Sequence, residues 1–176
     1  TKGGNLAAAK AAYTGDALKQ FVADVPRLGD PARGEAVFRR SENACLKCHA
    51  IAGAGGQVGP EMTSIGASAQ VDYLVDSLLT PNKQIKEGYH SLVVNTVDGK
   101  VVTGIKVRDV PGGLVLRNAD DREVTVPLAD LEEKPKNGPS LMPDGLADPL
   151  TRQEFLDLVR FLSELGKGAY AAAPGK

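Results

Sequence analysis

Hydrophobic positions along this chain follow two periods, and the switch between them divides it into helical ends and a β-rich middle. Residues 1 to 25 are Ala-rich, with a helical pattern over 6 to 13, a break at Thr14-Gly15, and Asp16 placed to cap a second helix over 17 to 25. This stretch reads either as a helical leader packed loosely on the main domain or as the tail of a larger helical region. Asp30-Pro31 opens the next helix, with Asp as N-cap and Pro where its missing N–H costs nothing. It is expected to run to about residue 40 and to set Gly34 and Phe38 on one face. Residues 41 to 67, rich in Gly and Ala, read as loop. A helix follows over 69 to 79, with Val71, Leu74, Val75 and Leu78 on one face and Pro81 ending it. Residues 129 to 148 read as loop again. The last helix starts at Thr151, whose side chain and that of Glu154 make a capping box; its stripe is Phe155, Leu158, Phe161, Leu162 and Leu165, and Gly166 stops it.

Between residues 89 and 128 the period becomes 2. Val101, Thr103, Ile105 and Val107 alternate with more polar or small residues, with Val102 breaking the pattern. Leu92 with Val94, Leu114 with Leu116, and Val124 with Val126 mark three more short strands. Asp98-Gly99, Pro111-Gly112-Gly113 and residues 118 to 121 supply the turns. The expected fold class is therefore α+β in a restricted sense: a mainly α chain with an inserted small antiparallel β-sheet of about four strands. The expected divisions are residues 1–27 as leader or upstream remnant, 28–167 as the main domain with 89–128 as the inserted β subdomain, and 168–176 as a tail.

Composition narrows the function. The 176 residues carry 21 Lys plus Arg against 22 Asp plus Glu, a net charge of −1, so no overall basic field exists to hold a nucleic-acid backbone. The longest apolar runs are a few residues, far short of the ~20 that span a bilayer, so no membrane span is expected. Thr1-Lys2-Gly3-Gly4 is not followed by an apolar signal region, so any export signal is expected to lie upstream or to have been removed. There are two Cys, two His and no Trp.

Both Cys fall in one motif, Cys45-Leu46-Lys47-Cys48-His49, the Cys-x-x-Cys-His signature of covalent c-type haem attachment. Two thiols three apart on a tight turn can add to the two vinyl groups of one porphyrin edge, and the adjacent His then supplies an axial nitrogen to the iron. The competing chemistries fit less well. A thioredoxin-like dithiol would follow a strand, whereas a helix and a polar loop come first here, and a zinc knuckle would need two more ligands. For the sixth iron position Met62, Met142 and His90 remain. Met142, in a Pro- and Gly-rich loop before the last helix, is the expected ligand; Met62 is expected to line the haem as an apolar side chain and His90 to be a surface or turn residue. Arg39, Arg40, Lys136 and Asn137 are candidates for the haem propionates by position alone.

Gly34 and Phe38, Cys45-x-x-Cys48-His49, Gly59-Pro60, a helix ending near Pro81, the Met142-Pro143 loop and a last helix with Phe161-Leu162 resemble the small soluble His/Met cytochromes c of class I-like fold. With residues 98 to 104 of the insert and Ser140-Leu141-Met142-Pro143-Asp144-Gly145-Leu146 included, the chain is most similar to the haem-binding domain found in Planctomycetes and Verrucomicrobia, over roughly residues 28 to 166. Met62 departs from that pattern, which usually carries Leu after Gly-Pro. The resemblance implies a cytochrome c fold in which the first and last helices cross near Gly34 and Phe38, and one covalent haem c bound by Cys45, Cys48, His49, Pro60, Met62 and Met142. It further implies iron ligation by His49 and Met142, with Pro60 O accepting the His49 N–H. The function expected is electron transfer rather than catalysis, with a redox partner protein such as a dehydrogenase docking near Cys45 and Cys48, in the periplasm or another exported location. The alternative is a haem sensor or catalytic haem domain whose labile sixth ligand is gated by the β insert.

Overall fold

The computed structural model of the chain describes residues 13 to 170; the helix expected before Tyr13 and the tail beyond residue 170 lie outside them. Among the described residues there are six α-helices: α1 (Gly15–Leu28), α2 (Pro31–Arg39), α3 (Cys45–Cys48), α4 (Ile65–Ser68), α5 (Val71–Leu79) and α6 (Arg152–Glu164). They are interleaved with seven strands: β1 (Ala50–Ile51), β2 (Ala54–Gly55), β3 (Ser91–Asn95), β4 (Val101–Val110), β5 (Gly113–Arg117), β6 (Glu123–Pro127) and β7 (Lys136–Asn137).

The helical core is organised on α6. Thr151 caps it by accepting from Glu154 N at 3.2 Å while the Glu154 carboxylate accepts from Thr151 N at 2.8 Å. Its buried residues, among them Phe155, Leu156, Val159 and Phe161, point in several directions because α1, α2, α4 and α5 all pack around it. The crossing with α2 is in backbone contact. A Cβ on Gly34 would come within 1.9 Å of the Asp157 carbonyl oxygen and 2.7 Å of Phe161 Cβ, and the Phe38 and Phe161 rings meet at 5.8 Å. Helix α1 is not loosely held: Phe21 and Val25 are fully buried, and the Phe21 and Phe155 rings lie 4.8 Å apart.

One buried charge locks this crossing. Asp157 is 2% exposed and accepts from Asp30 N at 2.8 Å, from Arg33 Nε at 2.8 Å and Nη2 at 3.0 Å, and from Gln153 Nε2 at 2.8 Å. Burial works to raise its pKa, but the Arg33 guanidinium with the Asp30 and Gln153 donors outweighs it and holds the carboxyl below the usual range.

The larger sheet is antiparallel with strand order β6-β5-β4-β3-β7, and β1 and β2 form a separate two-stranded hairpin. Val94, Leu114, Leu116 and Val126 are buried on the sheet's own apolar cluster, joined by Leu92, Val102, Val124 and Leu131. Cross-strand pairs Val94↔Val102, Leu116↔Val124 and Leu114↔Val126 fix its register. A bulge between Lys106 and Arg108 lets β4 run for ten residues across the sheet.

The expectation of a mainly α fold with a small insert of about four strands is overturned. The protein is α+β with a five-stranded sheet plus a two-stranded one, and the sheet is larger than an insert in a mainly α fold. Three features lay outside the period-2 signal. Val102, which breaks the alternation, is an ordinary inward residue of β4. Strand β7 pairs only Lys136 and Asn137 with Val93 and Leu92 through backbone bonds, and so has no apolar pattern. Residues 41 to 67, read as loop, hold α3, the β1–β2 hairpin and α4, all too short for a periodicity to register.

Gly34→Ala is expected to destabilise the protein by about 3 kcal/mol, because the added methyl meets backbone that has no rotamer to yield with; thermal unfolding would register it as a fall in the midpoint of roughly 6–12 °C.

Candidate functional site

The site is built on residues 44 to 62, where short elements fold back on one another. Ala44, in the left-handed region at φ 55°, starts the single turn of α3, which closes with His49 N donating to Cys45 O at 2.9 Å. Ala52 and Gly53, both at positive φ, turn β1 into β2. The returning chain then bonds to the motif it left: Gly56 N to Leu46 O at 2.9 Å, Gly59 N to Cys48 O at 2.7 Å and Met62 N to Ala50 O at 2.8 Å.

Gly59 is the tightest point. A Cβ there would sit 2.4 Å from His49 Cε1 and 2.7 Å from Nδ1, so the imidazole lies against bare backbone. The next residue, Pro60, places its carbonyl oxygen 2.7 Å from His49 Nδ1. A carbonyl has no proton to give, so the proton of this bond belongs to Nδ1 and Nε2 keeps its lone pair. Burial pushes the His49 pKa down, with the Pro60 bond opposing it, so the ring is neutral near pH 7. A neutral ring with Nδ1 committed and Nε2 free is the form that ligates metals.

His49 lines a cavity of about 350 Å³ together with Cys45, Cys48, Pro60, Met62 and Met142. Its walls are otherwise chiefly apolar, with Leu74 and Leu78 from α5 and Leu158 and Leu162 from α6. All six residues singled out from the sequence therefore meet in one place. Met62 is buried in the helical core, while Met142 is partly buried on its loop. His90 is exposed and is not part of the lining. Both cysteines are free thiols. Burial pushes Cys45 up to about 11, and burial also raises Cys48, with Lys47 pulling down and Asp121 adding to the rise. Dithiol exchange needs a depressed thiolate pKa, which this apolar wall opposes. Among the described residues no group of three or more His, Cys, Asp or Glu could hold a bare metal ion.

The Met142 loop is moored in part by residues that carried no sequence signal, Asn82 and Ser91. Ser140 N donates to Asn82 Oδ1 at 2.8 Å, Met142 N donates to Ser140 Oγ at 3.1 Å, and the fully buried Ser91 donates to Pro139 O at 2.6 Å while accepting from Gly138 N. Asn82 and Ser91 are single polar residues at the ends of α5 and β3, and only the folded chain puts them beside residue 140. The cavity mouth also differs from the positional expectation. Arg39 pairs with Glu35, Arg40 with Glu154 and Lys136 with Glu133, and none of these, nor Asn137, reaches the cavity. The lysines that do line it are Lys47 and Lys86, and Tyr73, Gln84 and Tyr89 also belong to the lining.

No helix among the described residues is long and apolar enough to cross a membrane.

Gly59→Ala is expected to drive the His49 ring off Pro60. In proton NMR the slowly exchanging Nδ1–H resonance of the wild-type ring would then be lost, whereas Gly99→Ala, which strains a positive-φ turn between β3 and β4 and meets nothing within 4 Å, should retain it. Compared with protein-family models and with curated proteins, the chain matches none.

Proposed function

We propose that this protein is a monohaem c-type cytochrome that carries single electrons between redox partner proteins, a dehydrogenase being one candidate partner. The observation that carries this reading is one cavity lined by two thiols, an imidazole whose Nδ1 is bonded to the Pro60 carbonyl, and two thioethers. That donor set suits a covalently attached, six-coordinate haem, and a cavity of about 350 Å³ with apolar walls falls in the size range of cofactor sites.

Haem supplies a one-electron ferric/ferrous couple. The residues of the chain do the rest. Cys45 and Cys48 are the thiols that would hold the group covalently as thioethers, an addition that consumes neither oxidant nor reductant. His49 Nε2 would ligate the iron, and Pro60 fixes its ring and raises its basicity. Met142, held on its moored loop, would supply a thioether ligand, and Met62 forms an apolar part of the cavity wall. Thioether ligation and burial both favour the ferrous form and raise the potential. Lys47, Lys86, Tyr73, Gln84 and Tyr89 in the cavity lining are the donors available to the propionates, in place of the four residues suggested by position. Covalent haem attachment takes place outside the cytoplasm, so a periplasmic or otherwise exported location goes with this reading. The resemblance to the haem-binding domain of Planctomycetes and Verrucomicrobia supports it at the level of motif, with the large sheet as an integral part of the protein.

Co-expressed with a haem-attachment system, the protein should gain the mass of one haem that survives denaturation, and Cys45→Ala with Cys48→Ala should abolish that gain. The oxidised protein should show a methionine-to-iron charge-transfer band that Met142→Ala removes and Met62→Leu retains. High-spin iron that takes up carbon monoxide in the unaltered protein would instead favour a sensor or catalytic haem domain.

A further inference from the structure

The turn between β5 and β6 reaches the loop that holds His49. Arg117, the last residue of β5, has 14% of its side chain exposed, and its Nη1 donates both to the Gln57 carbonyl oxygen at 3.4 Å and to the Gln57 side-chain oxygen. Its Nη2 donates to Glu123 at 2.8 Å on the neighbouring strand, and its Nε lies 3.5 Å from Asp121. From the other side, Gln57 N donates to Asp121 Oδ2 at 3.2 Å, and Lys47 Nζ stands 3.5 Å from Asp120. Gln57 opens the run in which Val58 lines the cavity, Gly59 lies on the imidazole and Pro60 accepts its proton. Ala119, in the turn, is itself part of the cavity wall.

The loop needs such support. Gly55, Gly56 and Gly59 allow the close approach this loop makes to residues 47 to 50, but with Gly53 they also give it the largest backbone freedom to lose on folding. A guanidinium can bridge two acceptors of one residue and two carboxylates at once, which a lysine ammonium cannot match in geometry.

We infer that Arg117 is a positioning residue of the site: from the sheet it clamps the loop of residues 57 to 60, and through it His49, while the 118 to 121 turn closes the cavity beside Cys48. The inference rests on the haem reading for what the cavity holds, and on contacts within the chain for the clamp itself.

Hydrogen exchange at the Gln57 and Gly59 amides tests the clamp in the full-length protein, loaded and unloaded. Arg117→Ala should accelerate both by about tenfold, with Arg117→Lys recovering part of the protection. Arg108→Ala removes the other arginine paired with Glu123 at 2.8 Å without touching Gln57, and should leave both amides as in the wild type. In the haem-loaded protein Arg117→Ala should also lower the reduction potential, because a looser, wetter cavity favours the ferrous form less. Unchanged exchange in Arg117→Ala, or equal acceleration in Arg108→Ala, overturns the inference. Exchange differences as expected in a chain that acquires no covalent haem would support the clamp and overturn the haem reading alone.

Discussion

The hydrogen bond from His49 Nδ1 to the Pro60 carbonyl, 2.7 Å long, is the contact on which the site depends. Taken alone, a neutral hydrogen bond contributes only about 1 kcal/mol to stability. Its effect on chemistry is larger than its energy, because it decides which ring nitrogen is protonated and therefore which is free to ligate. Everything around it serves that geometry. Gly59 must lack a side chain for the ring to lie against the backbone, and Gly56 must lack one where it passes the Lys47 carbonyl, 1.9 Å from where a Cβ would stand. The loop's glycine content is thus a steric requirement at particular positions, and its entropic cost is offset by bonds back to Leu46, Cys48 and Ala50.

Two apolar clusters hold the molecule together, and they differ in kind. The helical one is organised on α6, with Gly34 allowing backbone contact and Asp157 satisfied by four donors from two helices and their caps. The sheet has its own cluster, centred on Val94, Leu114, Leu116 and Val126. What ties the sheet to the cavity is polar: Arg117 to Gln57, Gln57 to Asp121, Lys47 to Asp120 and Ser91 to Pro139. Polar ties fix orientation through direction and distance, where apolar contact tolerates sliding, so a few of them suffice to set the cavity wall.

Local chemistry was legible in the sequence wherever one short segment contained it. The Thr151 capping box, the Asp30-Pro31 helix start and the Asp98-Gly99 turn each involve neighbours in the chain, and each is found. The residues gathered at the cavity were also legible, since a thiol pair, an adjacent imidazole and two thioethers stand out in a chain with two Cys, two His and two Met. The extent of the sheet was not. Strand β7 takes its place from backbone pairing with β3, and a bulge keeps β4 in the sheet past the point where alternation fails. The residues mooring the loops were illegible for a related reason. Asn82 and Ser140 are 58 residues apart and Arg117 and Gln57 are 60 apart, and nothing local in either member foretells the other.

Those long-range pairs explain why a sheet lies between the two parts of the chain that line the cavity. The loop of residues 57 to 60 is tied to Arg117 at the end of β5, and the loop of residues 138 to 142 is tied to Ser91 at the start of β3. Strands β5 and β3 both pair with β4, and the Ile105 pairings place Ser91 and Arg117 on either side of the same residue. The two mooring points are therefore separated by one strand and fixed by ladder hydrogen bonds. A change in the distance between the His49 loop and the Met142 loop has to stretch one of these ties or shear the β3–β4–β5 ladder. Two loops, one before the sheet in the chain and one after it, thus take their relative position from one rigid element. A sheet supplies that strut where a further connecting loop would only add freedom.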